Sequence, residues 1–209
     1  MKEFATEQES FWSGSFGDSY TQRKNGEIMA KSYLMFWVDI IKRTGPLKSC
    51  FEIGCNRGVN LDSIKKLLPS CSTNGLEINS FAVKECAANG HQVFEGSILE
   101  PPPAVATKEG LNDLSFVSGV LIHIDPSRLI DAYTLLYDLS QKYILIAEYF
   151  NPVPVAIPYR GHENRLFKRD FASEFWQNYP SLSLVDYGFI WSKDPVAPRD
   201  DVNWFLFHK

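Results

Sequence analysis

Apolar positions along the 209-residue chain change period repeatedly, and each change marks a new element. From Gly26 to Arg43, Met29, Tyr33, Phe36, Trp37, Ile40 and Ile41 recur at i, i+4, i+7, i+8, i+11 and i+12, which predicts a long amphipathic helix stopped by Gly45-Pro46. Short apolar runs then predict five strands: Ser49 to Ile53, Ser72 to Ile78, His91 to Gly96, Leu114 to Ile122 and Tyr143 to Phe150. Between them the period returns to that of a helix over Leu61 to Leu68, Phe81 to Ala88 and Pro126 to Ser140. The last of these opens on an N-cap, Asp125, with proline at the first helical position. The fifth run is nearly all apolar, as a strand covered on both faces of a parallel sheet must be. Leu182 to Trp191 and Val202 to Phe207 alternate instead, and predict two antiparallel strands at a sheet edge. Strands alternating with helices at this interval give an α/β fold: a doubly wound, mostly parallel sheet with helices on both faces and an antiparallel C-terminal edge.

Ligands of such sheets sit beyond the carboxyl ends of the strands. The first strand runs into Glu52-Ile53-Gly54-Cys55-Asn56-Arg57-Gly58, a glycine turn followed by a helix. Its backbone can approach a ligand closely and present the positive end of a helix dipole. The spacing departs from the dinucleotide fingerprint G-x-G-x-x-G, because Asn56 holds the middle place and Leu61 the last. Glu52 opens the turn, and Glu77 follows Gly58 by 19 residues, close to the distance of a carboxylate that binds ribose hydroxyls. Two acidic groups beside one turn suit a neutral or cationic adenosine ligand and repel a pyrophosphate; a plain strand, turn and helix with structural glycines is the alternative. The strand tips Gly54-Asn56-Gly58, Glu77-Ile78, Ser97-Ile98, Gly119-Val120-His123 and Tyr149-Phe150-Asn151 converge on one crevice. Ser97 is expected to reach an adenine amine and Ile98 to pack the ring, unless Ser97 only caps the next turn.

Two further stretches bear on that crevice. Residues 1–25 carry Phe11, Trp12, Phe16 and Tyr20, too many large rings for a solvated tail, since exposing each forfeits about 1.5–3 kcal/mol. They are expected to form either a helix over a sheet edge or a lid with Tyr20 and Arg23 pointing inward. Residues 151–170 leave the fifth strand as a stiff, proline-set loop carrying Arg160, His162, Arg165 and Lys168, which could bind an anionic group or form a solvated charge run. The chain therefore divides, within one domain, into an N-terminal helical lid (1–45), a core (46–150) and a substrate loop with C-terminal strands (151–209).

A net charge of −4 removes the bulk electrostatic case for nucleic acid or an anionic membrane, and no apolar run reaches 18 residues. The start lacks the apolar core of a secretion signal, so a cytoplasmic protein is expected, as a monomer or homodimer. Cys50, Cys55, Cys71 and Cys86 form no C-x-x-C pair and have no histidine at ligand spacing; buried thiols and no metal are expected.

The motifs Glu52-x-Gly54-x-Asn56-x-Gly58, Glu77 and Gly119-Val120-Leu121-Ile122-His123-Ile124 resemble class I S-adenosylmethionine-dependent methyltransferases, with their Rossmann-like sheet. Phe11-Trp12-x-Gly14-x-Phe16-Gly17-Asp18-x-Tyr20-x-x-Arg23-Lys24-Asn25, Ile146-Ala147-Glu148-Tyr149-Phe150-Asn151-Pro152, Pro158-Tyr159-Arg160-Gly161-His162, Leu166-Phe167-Lys168-Arg169-Asp170-Phe171-Ala172 and Val185-Asp186-Tyr187-Gly188-Phe189 resemble, more narrowly, the pseudaminic acid biosynthesis-associated methylases. The resemblance implies S-adenosylmethionine as cofactor, held by Trp12, Tyr20, Arg23, Glu52, Gly54, Asn56, Gly58, Glu77, Ile78, Ser97, Ile98, Gly119 and Val120, with Arg23 on the methionine carboxylate. His123, then His162, are the candidate bases, and Tyr149 is a third catalytic candidate. Tyr159, Arg160, His162 and Lys168 are expected at the acceptor, an anionic small molecule such as a nonulosonic acid or nucleotide sugar methylated on oxygen or nitrogen. Transfer or cyclisation of the aminocarboxypropyl arm, with release of methylthioadenosine, is the alternative reaction, and a non-catalytic binding module is the second alternative. Nucleic-acid methylation is the weakest, since no Asn-Pro-Pro-Tyr-type strand end and no basic stripe is present.

Overall fold

A computed structural model describes residues 4–23, 27–106 and 112–209. The chain begins with two short helices, α1 (Glu7–Ser13) and α2 (Ser15–Thr21), followed by the long α3 (Glu27–Thr44). The alternating region then runs β1 (Ser49–Ile53), α4 (Val59–Leu67), β2 (Ser72–Glu77), α5 (Ser80–Ala88), β3 (Gln92–Glu95), the single turn α6 (Pro103–Ala106), β4 (Asn112–Ser118), α7 (Leu129–Asp138) and β5 (Ser140–Glu148). A hairpin of β6 (Val155–Tyr159) and β7 (His162–Lys168), helix α8 (Phe171–Asn178), β8 (Ser183–Ile190) and β9 (Val202–His208) complete it. The main sheet has seven strands in the order β3-β2-β1-β4-β5-β9-β8. The first five are parallel, and β9 and β8 join antiparallel, as the sequence pattern predicts.

Alternation along β1 sends Cys50 to one face and Phe51 to the other, and each face has its own core. Cys50, Leu114, Phe116 and Leu145 pack under Trp37 and Ile40 of α3 and Leu61 and Ile64 of α4. Phe51, Ile53, Val117, Ile144 and Ile146 pack under Leu129, Tyr133 and Leu136 of α7 and Phe171 and Phe175 of α8. Phe51 and Phe116 are fully buried, and each contributes about 1.5–3 kcal/mol through apolar area removed from water. The four cysteines are buried and free, as expected.

Three elements differ from the sequence expectation. Strand β4 ends at Ser118 rather than Ile122, and Leu121–His123 forms a 3-10 turn. Gly119 takes φ 70° there, and the backbone N–H groups of Val120 and Leu121 both donate to Glu148 Oε1 at 2.9 Å, which curls the chain off the sheet. The helix expected from Pro126 is split: Pro126–Arg128 is a 3-10 turn, capped by Asp125 accepting from the Ser127 N–H at 2.8 Å, and α7 starts at Leu129. The stretch expected to be a stiff loop is the β6–β7 hairpin, turned at Arg160-Gly161 with φ of 52° and 84°. Two positive φ values in a two-residue turn match the twist of the flanking strands. Pro158 is tolerated because a two-stranded ribbon consists of edges, and the register slips between Ile157 and Tyr159 around it.

Candidate active site

Above the carboxyl ends of the parallel strands, and under α1 and α2, lies a cavity of about 370 Å³. Its lining brings together Trp12, Tyr20, Arg23, Glu52, Gly54, Asn56, Glu77, Ile78, Ser97, Ile98, Gly119, Val120, His123, Tyr149, Tyr159 and Arg160 from the sequence-predicted set. Gly58, His162 and Lys168 do not line it. Gly58 is the left-handed N-cap of α4, where a Cβ would stand 2.7 Å from Cys86 Sγ, so its need for glycine is structural. His162 packs edge-on against Phe11 and Phe16, with ring centroids 4.9 and 5.8 Å away, and Lys168 Nζ lies 5.1 Å from the Tyr149 ring centre.

The glycine turn is shaped by what crowds it. At Gly54, φ is 71° and a Cβ would come within 2.7 Å of a Val120 methyl, so the first place in the turn admits glycine alone. Asn56 holds φ 46°, a conformation asparagine tolerates better than most side chains. Its N–H donates to Glu77 Oε2 at 2.8 Å and its side-chain Nδ2 to Thr21 Oγ1 at 3.0 Å. The departure from the glycine-rich pattern is thereby accounted for: the asparagine ties the turn to α2.

Glu77, at the tip of β2, also accepts the N–H of Asn79 on Oε1 at 2.8 Å. A carboxylate offers about four acceptor sites, so each oxygen keeps capacity for a further donor. Burial raises the Glu77 carboxyl above its ordinary range, opposed by these N–H groups. Glu52 is buried more deeply. Its Oε1 accepts from Asn60 Nδ2 at 2.6 Å, Asn60 Oδ1 accepts from Trp37 Nε1 at 3.0 Å, and Glu52 Oε2 has no partner. Desolvation drives its carboxyl well above the usual carboxylate range.

Helices α1 and α2 are fastened to the strand tips. Asn79 Nδ2 donates to Asp18 Oδ1 at 2.8 Å, and Gly17 sits so close that a Cβ would meet the Trp12 carbonyl and the Asn79 amide. Glu7 pairs with Arg165 of β7 at 2.8 Å, and Gln8 Nε2 donates to the Asn164 carbonyl at 3.1 Å. Ser97 Oγ donates to Glu9 Oε1 and accepts the N–H of Leu99 at 2.9 Å and, more weakly, that of Glu100 at 3.4 Å. Its hydroxyl is engaged in capping the following turn, the alternative reading of Ser97. The acceptor with room at this corner is Glu9, also on the cavity wall.

The opposite wall is aromatic. His123 packs at a tilt against Trp12 and Tyr159, its ring centroid 4.5 and 4.9 Å from theirs. Its Nδ1 meets the Arg165 carbonyl, an acceptor only, so Nδ1 carries the proton and Nε2 a lone pair. Burial brings its pKa down from 6.5 to about 4, and the ring is neutral near pH 7. Tyr149 shares the cavity wall with Tyr20, Tyr159 and Asp200, and burial, reinforced by the Asp200 carboxylate, raises its hydroxyl well above the usual phenol range. Arg23 lies over the Tyr20 ring at 4.7 Å. Of the four cations on residues 151–170, Arg160 alone lines the cavity; Arg165 is engaged with Glu7.

Several lining residues escaped the sequence pattern. Asn60 gave a faint signal, a polar residue in the first turn of a helix whose neighbours Leu61 and Ile64 are buried. Glu9, Thr21, Arg199 and Asp200 gave none, since each reaches the cavity through a tertiary contact, whereas Asn79 stands at the tip of β2 beside the expected Glu77 and Ile78. Among the described residues no group of three or more metal-ligating side chains is present, and no helix is long and apolar enough to cross a membrane.

No family model matches the sequence, and no curated protein matches it either. Solved structures do match in shape. A Burkholderia thailandensis 1,6-didemethyltoxoflavin-N1-methyltransferase with bound 1,6-didemethyltoxoflavin and S-adenosylhomocysteine has a TM-score of 0.69 at 10% identity, covering 100% of this chain and 92% of that one. A SAM-dependent methyltransferase from Archaeoglobus fulgidus gives 0.66 at 14% identity, covering 94% and 100%. Magnesium protoporphyrin IX methyltransferase from Synechocystis PCC 6803 with bound SAM gives 0.64 at 11% identity, covering 100% of both chains. The chain has the Rossmann-like fold that these methyltransferases share.

Proposed function

We propose that the protein is an S-adenosylmethionine-dependent methyltransferase acting on an oxygen or nitrogen of a small acidic molecule, of the nonulosonic acid or nucleotide sugar class. The observation that carries this is the pair of buried carboxylates, Glu52 and Glu77, flanking one close-packed glycine turn in a single cavity. A pyrophosphate would be repelled there, whereas a ribose diol and a cationic tail are suited to it. The residues fit an adenosyl sulfonium: Glu77 has acceptor capacity for ribose hydroxyls, Ile78 and Ile98 offer apolar surface for a base, and Glu9 can accept an exocyclic amine. Tyr20, Tyr149 and Tyr159 line the same cavity, and the face of an aromatic ring attracts a sulfonium.

When bound, the cofactor supplies a methyl group already activated on sulfur, so what remains for the chain is alignment and proton removal. Trp12, Tyr159 and His123 bound the space for the acceptor. His123 Nε2, held by the Nδ1–H donation to the Arg165 carbonyl, accepts a hydrogen bond from the acceptor's hydroxyl or amine and takes its proton as the methyl moves. Arg160, on the hairpin turn beside Tyr159, is the cation available to an acidic acceptor. Helices α1 and α2 exclude water from the reacting atoms.

The test is to incubate the protein with methyl-labelled S-adenosylmethionine and a panel of free and nucleotide-activated nonulosonic acids, then identify the labelled species by mass. Label on an acidic sugar with release of S-adenosylhomocysteine supports the proposal. Release of methylthioadenosine instead would shift the reaction to the aminocarboxypropyl arm, and no turnover of any acceptor would remove the substrate class.

A further inference from the structure

The loop joining β8 to β9 carries a cation that the proposal above leaves unused. Arg199 is only 7% exposed. Its guanidinium lies 4.1 Å from the Tyr33 ring centre and 4.8 Å from that of Phe36, so α3 forms an aromatic floor beneath it. Nη2 reaches Ser118 Oγ, at the tip of β4, at 3.4 Å, and Nη1 is buried with no partner among the described residues. Burying a guanidinium donor unpaired is costly, and such groups rarely persist without a purpose.

A second buried group on the same cavity has the same defect with the opposite sign. Glu52 Oε2 is unpartnered, and Arg199 is near enough for its charge to act on Glu52. The two nonetheless form no ion pair; Glu52 is held back by Asn60, and Arg199 by its stacking and Ser118. A carboxyl oxygen and a guanidinium nitrogen, both unpartnered on the wall of one cavity, are complementary to a zwitterion, whose ammonium would draw the buried carboxyl into its charged form. Arg23 is a poorer partner for a carboxylate, being less buried than Arg199 and on the border of the lid.

We propose that Arg199 and Glu52 form a clamp for an α-amino-acid group, Arg199 taking the carboxylate and Glu52 Oε2 the ammonium. Resting on the methyltransferase reading, this is the methionine end of the cofactor, and it gives the edge-strand loop a direct part in cofactor selection. The carboxylate moves from Arg23, where the sequence suggested it, to a residue with no local signal.

Three probes separate the parts of the ligand: S-adenosylhomocysteine, its decarboxylated analogue S-adenosyl-3-thiopropylamine, and 5′-methylthioadenosine, which lacks the amino-acid group. Calorimetric titration of the wild-type chain should rank them in that order, with S-adenosylhomocysteine at least tenfold tighter than the amine. Arg199→Gln should bind S-adenosylhomocysteine at least tenfold more weakly while binding the other two within about twofold of wild type. Arg199→Lys, which keeps the charge, should retain part of the preference and serves if the glutamine variant does not fold. Glu52→Gln should weaken the first two probes and spare methylthioadenosine. An Arg199 variant that keeps the wild-type preference for the carboxylate, or one that weakens all three probes alike, would overturn the clamp. Failure of the wild-type chain to bind any of the three would overturn the methyltransferase reading beneath it, and the clamp with it.

Discussion

Glu77→Gln isolates the charge that the cofactor site places at the tip of β2. The carboxylate accepts two backbone N–H groups, from Asn56 and Asn79, each at 2.8 Å, and is mostly buried. Alanine would orphan both donors at once and confound binding with folding. Glutamine keeps the volume and one acceptor oxygen, but turns an NH2 toward the other N–H, so a single buried donor is left unpaired, at about 1–3 kcal/mol of stability. The ribose hydroxyls lose a charged acceptor, and hydrogen bonds to charged groups are worth about 1.5–3 kcal/mol. Affinity for S-adenosylhomocysteine should therefore fall by about 10- to 100-fold, at about 1.4 kcal/mol per tenfold. Calorimetric titration with S-adenosylhomocysteine and its 2′-deoxy analogue distinguishes a local from a general effect. Wild type should prefer the ribose ligand and Glu77→Gln should lose most of that preference. Unchanged affinity together with an unchanged preference for the 2′-hydroxyl would refute the reasoning and remove Glu77 from the ribose.

Three other outcomes follow from neighbouring residues. His123→Asn should lower the rate of methyl transfer by about 10²-fold or more while leaving S-adenosylhomocysteine affinity within about threefold, as expected for a proton acceptor that does not hold the cofactor; a rate near wild type would make the imidazole a packing group. Glu9→Gln should shrink the preference for S-adenosylhomocysteine over S-inosylhomocysteine, because an amide can donate to the inosine carbonyl and a carboxylate cannot; an unchanged ratio would return the amine to another acceptor. Glu148, which anchors the curl after β4, has its carboxyl pushed up from 4.5 to about 7 by burial, so its contribution to stability is present below pH 4.5 and is lost as pH rises through about 7. Urea unfolding at pH 5 and pH 8 should show the wild type losing up to about 3 kcal/mol more than Glu148→Gln over that interval; parallel pH dependence in the two proteins would contradict it. His123, pulled down to about 4, works in the opposite direction, its favourable term being lost as pH falls from 6.5 through about 4, and it is common to both proteins.

What the chain reveals before folding is set by how local the physics is. The parallel strands and the helices covering them were legible because Phe51, Ile53, Leu145 and Ile146 repeat at period two or in unbroken runs, and Trp37, Ile40, Leu61 and Ile64 at helical spacing. Gly54 announced a turn because no other residue fits against Val120 at positive φ. The β6–β7 hairpin was hidden by Pro152, Pro154 and Pro158, which read as loop, although Arg160-Gly161 supplies the two positive φ angles such a turn needs. The 3-10 curl at Leu121–His123 depends on a carboxylate from β5, some 27 residues away, and no local pattern carries it. The same holds at the cavity. Glu52, Glu77 and the strand-tip residues follow from topology, since the ends of parallel strands converge, whereas Glu9 and Arg199 arrive through the lid and an edge loop.

The central claim is that this cavity accepts an adenosyl group with a cationic tail and refuses a pyrophosphate. Calorimetric titration of the wild-type chain with S-adenosylmethionine and, separately, with NAD tests it most directly. S-adenosylmethionine should bind saturably and one to one, and NAD should give no measurable heat. Tighter binding of NAD, or no binding of S-adenosylmethionine at millimolar concentration, would contradict it.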